Sequence, residues 1–281
     1  MTSTTNNQTV LSVSELEEKA RWLRLEVLEK TVSAGRGHLG GTYSCVELLT
    51  ALYYGGVMRI DTTDAKWDDR DRLLIGKGHA CLAVYAMFTD LGMMSDERYA
   101  TYGEDGGLGG QLDLSIPGVE INTGSLGHVL GVGAGMAMAA QMDGSPARAF
   151  ALMGDAETHE GSVWEAMAFA GEQKLNGLIG MIDRNRLSVT HRVDDDSMFN
   201  EFRSKVETFG WQYEEIDGHS FPEILAAFAS AATSDRPVMI VANTIKGKGV
   251  SFMENGIEWH QAVPDEKQLE IARKELGAGV V

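Results

Sequence analysis

The sequence predicts an α/β protein with a doubly wound, mostly parallel sheet and helices on both of its faces. From residue 148 onward, short apolar runs of strand length alternate with segments of helix length. Such alternation is typical of right-handed crossovers between parallel strands. In addition, the apolar runs end directly in polar pairs and triplets, GD at 154–155 and DRN at 183–185. Ligands of such sheets bind beyond the carboxyl ends of the strands, so we expect a site there.

The N-terminal half is predicted to alternate helices with glycine loops. Ser14-Glu-Leu-Glu is a capping signal for a helix that runs to about Ser33, with its apolar positions mostly on one face. A glycine loop follows at 34–44, and VELLTALYYGG opens a second helix. After a charged loop at 61–72, LLIGKGHACLAVYAMFTDLG predicts a short strand, a Gly-Lys-Gly-His turn and a helix.

Two further glycine loops, at 103–110 and 122–128, precede the regular second half. The second of them leads into VLGVGAGMAMAAQ, a small-residue segment that predicts a closely packed helix. The remaining elements predicted from apolar pattern and length are strands at 148–155, 177–183, 211–217 and 237–244, and helices at 162–173, 197–210, 221–233 and 265–276.

The domain organisation is predicted to be simple. Residues 1–12 are polar and aperiodic, which indicates a flexible tail, and residues 13–281 are expected to form a single domain. We find no internal repeat, low-complexity tract or proline-rich linker, and the chain has only 5 prolines. Doubly wound sheets often reach about 250 residues as one unit, so the length agrees with this division.

Composition and charge exclude several classes of function. The 281 residues include 24 Lys and Arg and 41 Asp and Glu, which gives a net charge of −17. Such a charge would repel phosphate backbones and argues against a nucleic-acid partner. No basic segment precedes an apolar run, and no stretch of about 18 apolar residues occurs. We therefore expect a cytoplasmic protein without a membrane partner, whose two cysteines, Cys45 and Cys81, are reduced and buried.

Oxygen-bearing side chains follow two of the predicted strands. Asp155 ends one strand and Asn185 follows the next, and a carboxylate, an amide oxygen and a free carbonyl suit Mg²⁺ or Ca²⁺. The helix that begins near Ser162 would aim backbone N–H groups at the same point, which favours an anion there. We infer a metal-bridged diphosphate, although Asp, Asn and Gly are also ordinary turn and capping residues.

Two histidines flanked by glycines, His38 and His79, are candidates for acid–base chemistry. The ordinary pKa of histidine, near 6.5, makes both charge states accessible at working pH. Glycine lets the backbone and a ligand approach closely, which favours a functional role over that of a core histidine.

The motifs taken together resemble a known family. The chain contains, in order, SAGRGHLGGTYS, GKGHA, PGVEINTGSLGH, GDAETHEGSVWEA, DRNRLSV, TIKGKG and EWHQAVP. Their order and spacing, over about residues 14–265, are similar to the N-terminal half of transketolase. The chain is most similar to the stand-alone N-terminal subunits of split transketolases, and more distantly to 1-deoxyxylulose-phosphate synthase. The resemblance implies the thiamine-diphosphate-binding fold of the type that holds the diphosphate (the PP-type domain).

The resemblance also implies the roles of individual residues. Asp155, Asn185 and the carbonyl of Leu187 would ligate Mg²⁺, with Ca²⁺ or Mn²⁺ as alternatives. The residues expected to bind thiamine diphosphate are His79, Gly124, Leu126, Gly154, Asp155, Ala156, Glu160, Asn185, Leu187, Lys246 and His260. Of these, Gly124 and Leu126 would lie along the aminopyrimidine. The expected catalytic residues are His38, His79, His260 and Glu160, of which Glu160 would link the two active sites of a dimer. The residues expected to meet substrate are His38, Gln111 and His260.

The sequence departs from the family pattern mainly on the substrate side. Gln111 stands where transketolases commonly carry a histidine, and it keeps a donor and an acceptor but cannot titrate. Leu39 replaces a frequent proline, and His128 replaces a frequent glutamine. Ala156 replaces a glycine whose backbone N–H is the group required, so cofactor binding should survive.

The function implied is transfer of a two-carbon ketol unit from a ketose, often phosphorylated, to an aldehyde. In this family the glutamate that activates the cofactor lies in a following pyrimidine domain, so we expect an α₂β₂ assembly with a C-terminal partner subunit. Alternatives are a decarboxylating enzyme that consumes a 2-oxo acid, either a ligase or a dehydrogenase component, and a non-catalytic binding homologue. A nucleotide-binding oxidoreductase is disfavoured because GVGAGM (131–136) lacks the required spacing after a strand.

Overall fold

The computed structural model describes residues 10–193 and 199–277. Its centre is a five-stranded sheet in the order β1-β2-β3-β5-β4, with every neighbouring pair parallel. The strands are β1 (Arg72–Ile75), β2 (Ala149–Gly154), β3 (Leu178–Arg184), β4 (Gln212–Asp217) and β5 (Val238–Asn243). This arrangement confirms the predicted parallel sheet.

Helices cover both faces of the sheet. The α-helices are α1 (Val13–Ala34), α2 (Leu39–Tyr43), α3 (Val46–Tyr54), α4 (Cys81–Asp90), α5 (Asp96–Ala100), α6 (Val129–Asp143), α7 (Gly161–Glu172), α8 (Phe202–Thr208), α9 (Phe221–Ala231) and α10 (Glu266–Glu275). Successive strand residues point to opposite faces, so Leu73 and Ile75 join one apolar cluster and Leu74 joins the other. The first cluster includes α1, α3, α4 and α9, and the second includes α6, α7 and α8. The doubly wound prediction is therefore confirmed.

The first helix begins slightly earlier than the sequence predicts. Ser12, rather than Ser14, caps α1: its hydroxyl accepts from the Glu15 N–H, and the Glu15 carboxylate accepts from the Ser12 N–H at 2.7 Å. Both serines precede a glutamate by three residues, so the spacing alone does not distinguish them. Of the predicted tail, residues 1–9 lie outside the described residues, and the Leu11 N–H donates to the Tyr54 carbonyl at 3.0 Å.

The predicted glycine loop at 34–44 is partly helical. Residues 39–43 form α2, and all five are buried. The Thr42 hydroxyl donates to the His38 carbonyl at 2.6 Å, which fastens the start of the helix. Burial of this short segment outweighs the low helix propensity of its two glycines, and it fixes the backbone beside His38.

The predicted helix at 197–210 is also wrong in extent. Residues 197 and 198 lie outside the described residues, and α8 spans only Phe202–Thr208. Glu201 has a φ of 54°, a left-handed conformation that a helix cannot continue through.

Two further features concern the cysteines and the lengths of the helices. Cys45 and Cys81 are both free and buried. Within residues 10–193 and 199–277, none of the helices combines the length and apolar character required to span a bilayer.

Candidate active site

The carboxyl ends of four strands meet at one edge of the sheet. Gly154, the last residue of β2, pairs with Asp183 of β3, and Arg184 of β3 pairs with Asn243 of β5. On the other side, Ile75 at the end of β1 pairs with Leu152. The segments that follow these strands carry most of the site residues predicted from sequence, because parallel strands deliver their carboxyl ends to the same edge.

One cavity at this edge gathers most of the predicted cofactor residues. Those that line it are His79, Leu126, Gly154, Asp155, Ala156, Asn185, Leu187, Lys246 and His260. Lys77 and Glu157, to which the sequence assigned no role, also line it.

Asp155 lies at the floor of the cavity and is 2% exposed. Its Oδ1 accepts from the Ala156 N–H at 2.8 Å, and its Oδ2 accepts from the Arg186 N–H. Burial, with the nearby Asp183 carboxylate, raises the pKa of Asp155 to about 6. A cation at this carboxylate would favour its charged form, which is the behaviour expected of a metal ligand.

Asn185 is oriented by hydrogen bonds at both ends of its amide. Its Nδ2 donates to Asp183 Oδ2 at 3.1 Å, and its Oδ1 accepts from the Leu187 N–H at 3.1 Å. The amide oxygen is thereby held on the side away from Asp183. Together with Asp155, this oxygen provides the kind of donors that a hard divalent cation prefers.

Asp183 is the centre of a buried polar network beneath the cavity. It is fully buried and pairs with Lys77, which is 3% exposed. The Ser44 hydroxyl donates to Asp183 Oδ2 at 2.6 Å, and the Thr244 hydroxyl donates to Oδ1. Burial by itself would raise the pKa of Asp183, but Lys77 and these donors hold it below its usual value. The network ties the ends of β1, β3 and β5 together.

Three histidines form a cluster, and two of them, His79 and His260, line the cavity. The ring centroids of His38 and His79 are 5.2 Å apart, those of His38 and His260 are 5.5 Å apart, and those of His79 and His260 are 4.9 Å apart. Burial lowers the pKa of each ring, well below 6.5 for His79 and to about 4 for His260. The three rings are therefore neutral near pH 7, and each carries an unprotonated nitrogen that can accept a hydrogen bond.

Lys246 links the segment that follows β3 to the histidine cluster. It is 1% exposed, and its Nζ donates to the Ser188 carbonyl at 2.9 Å and lies 3.3 Å from His260 Nδ1. Burial, with the charge of Lys77, lowers the pKa of Lys246 to about 8. Two buried ammonium groups beside one cavity suit a ligand with several negative charges.

The glycine loop at 122–128 forms the rim beside this cavity. Gly124 and Gly127 have φ angles of 108° and 83°, which favour glycine. Gln111 lies against the same loop, since its Oε1 accepts from the Thr123 hydroxyl at 3.4 Å. A Cβ on Gly78 would lie 2.3 Å from Gln111 Oε1, which places the glutamine next to the segment that carries His79.

The two glutamates after β2 differ in their surroundings. Glu160, predicted to be functional, is exposed at the N-cap of α7. Glu157 is 1% exposed and accepts backbone hydrogen bonds inside the site. Burial raises the pKa of Glu157 to about 7.

Lys77, Glu157 and Asp183 are buried charged residues at the site for which the sequence predicted no role. All three lie in motifs that it had singled out, namely GKGHA, GDAETHEG and DRN. The available signal was a charged residue directly at or after a buried apolar strand, where an ionised group needs a partner.

The fold and the cavity define a class of protein. A parallel α/β sheet whose strand ends hold buried lysines, neutral histidines and oxygen donors is suited to a diphosphate-bearing ligand with a divalent cation.

Comparison with known proteins identifies the family. The family described as "Transketolase, thiamine diphosphate binding domain" matches residues 14–280. The chain belongs to this family of thiamine-diphosphate-dependent transferases. It is 39% identical over 268 residues to an apulose-4-phosphate transketolase subunit of Phocaeicola vulgatus, covering 95% of each chain. It is 36% identical over 265 residues to the 6-deoxy-6-sulfo-D-fructose transketolase subunit SqwG of a Clostridium species, covering 93% of this chain and 96% of that one.

Solved structures agree with this assignment. The transketolase of Campylobacter jejuni superposes with a TM-score of 0.84 at 27% identity, over 95% of this chain and 43% of that one. The transketolase of Leishmania mexicana superposes with a TM-score of 0.83 at 25% identity, over 96% of this chain and 42% of that one. The chain thus spans about two fifths of the length of these transketolases.

Proposed function

We propose that this chain is the N-terminal subunit of a split transketolase. With a C-terminal subunit, it transfers a two-carbon ketol unit from a ketose, often phosphorylated, to an aldehyde. The observation that carries this proposal is the match to two relatives named as transketolase subunits over 95% and 96% of their own lengths. The cavity described above supports it, because most of the residues expected to hold the cofactor line one space.

Thiamine diphosphate and Mg²⁺ would be held at the strand ends. Asp155, Asn185 and the Leu187 carbonyl would hold the cation, and Lys246 would face the diphosphate. When bound, thiamine diphosphate supplies the carbon nucleophile and the electron sink for breaking the carbon–carbon bond. The Ala156 N–H donates to Asp155 at 2.8 Å, so a carboxylate that turns to the cation would release this donor to the diphosphate.

The histidine cluster would move the substrate's protons. A neutral imidazole beside the hydroxyl next to the breaking bond accepts that proton as the bond breaks, and returns it when the acceptor aldehyde is joined. His38 is the best placed of the three, because its Nδ1 is buried without a hydrogen-bond partner among residues 10–193 and 199–277. His79 and His260 would also face the diphosphate, and Gln111 would meet the sugar.

The partner subunit would supply the glutamate that activates the aminopyrimidine ring, in an α₂β₂ assembly. The exposed Glu160 is free to meet a neighbouring subunit, in agreement with a role in linking two active sites. The free thiols of Cys45 and Cys81 agree with a cytoplasmic location.

The test is co-expression with the adjacent transketolase-like reading frame, followed by an assay of the purified complex. Ketol transfer from xylulose 5-phosphate to ribose 5-phosphate would be measured with and without thiamine diphosphate and Mg²⁺, with other phosphorylated and sulfonated ketoses in parallel. We expect transfer that requires both additions. Release of CO₂ from pyruvate or another 2-oxo acid in place of ketol transfer would overturn the proposal in favour of a decarboxylating enzyme. Cofactor binding without turnover of any donor would indicate a binding homologue.

A further inference from the structure

A single buried carboxylate connects the glycine loop at 122–128 to the sheet. Glu157 Oε1 accepts from the Gly127 N–H at 2.9 Å, and Glu157 Oε2 accepts from the Gly154 N–H at 3.3 Å. Gly154 is the last residue of β2. The side chain therefore holds the loop against the strand end that precedes Asp155.

The end of β1 is shaped to admit the same carboxylate. A Cβ on Gly76 would lie 2.0 Å from Glu157 Oε1 and 2.2 Å from Oε2, so any side chain there would displace it. The Gly76 N–H donates to the Leu152 carbonyl at 2.8 Å, which fixes its backbone on β2. Three backbone segments, the ends of β1 and β2 and the glycine loop, thus converge on Glu157.

The loop is also held on its other side. The Ser162 hydroxyl donates to the Gly127 carbonyl at 2.9 Å. A Cβ on Gly127 would lie 2.6 Å from both Glu160 Cβ and Ser162 Oγ, so this position requires glycine for space as well as for its positive φ. The peptide groups on both sides of Gly127 are therefore anchored, its N–H by Glu157 and its carbonyl by Ser162.

This anchoring fixes the backbone next to a side chain that is open to a ligand. Leu126 precedes Gly127, lines the cavity and is 42% exposed. Its carbonyl lies 3.0 Å from His128 Nδ1. Leu126 is thus a large apolar side chain on a restrained backbone, presented to the cavity.

We infer that Glu157 is a positioning residue for the aminopyrimidine end of the cofactor site. By anchoring Gly127, it sets the position of Leu126 and Gly124, and thereby the place where the ring of the cofactor rests. The inference deepens the proposed function and rests on it. The residues that locate the ring are then different from those, such as Asp155, that would hold the diphosphate.

The test compares two ligands in the complex with the partner subunit. Thiamine diphosphate with Mg²⁺ engages both ends of the site, whereas inorganic pyrophosphate with Mg²⁺ engages only the diphosphate end. Loss of a buried hydrogen bond to a charged group corresponds to about a 10- to 100-fold change. We expect Glu157→Ala to weaken thiamine diphosphate binding by about this factor and to leave pyrophosphate binding within about threefold.

Two further variants make the result specific. Glu157→Gln keeps an oxygen acceptor for the Gly127 N–H but turns its NH₂ group toward the Gly154 N–H, so it should recover part of the lost affinity. Glu172→Ala, at an exposed position of α7, should behave as wild type. Hydrogen exchange at 122–128 should speed up in Glu157→Ala and not in Glu172→Ala.

Equal weakening of both ligands, or unchanged exchange in the loop, would overturn the inference. Failure of the proposed function would show differently, as a wild-type complex without ketol transfer. The exchange measurement requires no ligand, so it reports on the anchor in either case.

Discussion

The two ends of the cavity differ in how completely their polar groups are satisfied. At the end proposed to hold the diphosphate, Asp155, Asp183 and Asn185 each make at least two hydrogen bonds within the protein. At the histidine end, the rings contact one another at centroid distances of 4.9 to 5.5 Å. There, His38 Nδ1 is buried without a partner in the described part of the chain.

This difference indicates a division of labour within one site. The diphosphate end is organised before any ligand arrives, which lowers the cost of ordering side chains on binding. At the histidine end, His38 Nδ1 lacks a partner among residues 10–193 and 199–277, and a sugar hydroxyl could satisfy it. Gln111, which departs from the family pattern, adjoins this second end. We therefore expect changes at Asp155 and Asn185 to act on cofactor affinity, and changes at His38 and Gln111 to act on turnover.

The largest effect is expected from removing the Asp155 carboxylate, at the end proposed to hold the diphosphate. Asp155→Ala should reduce binding of thiamine diphosphate and Mg²⁺ by the complex below detection in titration calorimetry, because the cation loses its charged ligand. Asp235→Ala removes an exposed carboxylate, 83% accessible, and should bind as wild type. Unchanged binding in Asp155→Ala would show that Asp155 is not a ligand of the metal.

Breaking the buried polar network around Asp183 should destabilise the fold. Lys77→Met removes the partner of Asp183 and leaves a buried carboxylate without its cation. Removing one partner of a buried ion pair costs about 3–5 kcal/mol. Urea denaturation of the isolated chain, followed by circular dichroism, should show a loss in the free energy of unfolding of this size. A loss below about 1 kcal/mol would indicate that Asp183 is satisfied without Lys77.

A change at the histidine end should separate turnover from binding. His38→Ala should lower kcat/KM for ketol transfer by about 10²-fold, as is typical of a lost acid–base group. Cofactor affinity should stay within a few fold, since the diphosphate end is untouched. Steady-state kinetics and calorimetry on one preparation measure the two quantities. A large loss of cofactor affinity would show that His38 contributes to cofactor binding.

The smallest effect concerns pH. Burial, and then the charge of Lys77, hold the pKa of His79 well below 6.5 in the folded chain, so unfolding takes up a proton in acid. The stability due to neutral His79 is complete above pH 6.5 and is lost as the pH falls toward the folded pKa, by up to about 1.4 kcal/mol per pH unit. His79→Asn should flatten the decline in unfolding free energy between pH 6.5 and 5 relative to wild type. An identical pH dependence in the two proteins would contradict the burial of a neutral ring.

The sequence predicted the parallel sheet because its buried strands are continuous apolar runs that end in glycine, aspartate or asparagine. It also placed Asp155, Asn185 and His79 at the right edge, since strand order does not affect which ends meet. It missed α2, because tertiary burial overrode the low propensity of a Leu-Gly-Gly segment. It gave no role to Glu157, because the hydrogen-bond partners of that carboxylate are the backbone N–H groups of Gly127 and Gly154, from two separate segments, and no spacing rule reports such a convergence.

In the proposed function, Asp155 and Asn185 hold a metal-bridged diphosphate and His38 meets the substrate. The most direct measurement is a crystal structure of the two-subunit complex with thiamine diphosphate and Mn²⁺ in place of Mg²⁺, with the metal located by its anomalous scattering. We expect a single peak at the cavity, at about 2.0–2.3 Å from oxygens of Asp155, Asn185 and Leu187, with the histidine cluster facing the reactive ring. A peak at the histidines, or a cofactor whose diphosphate lies away from Asp155, would contradict it.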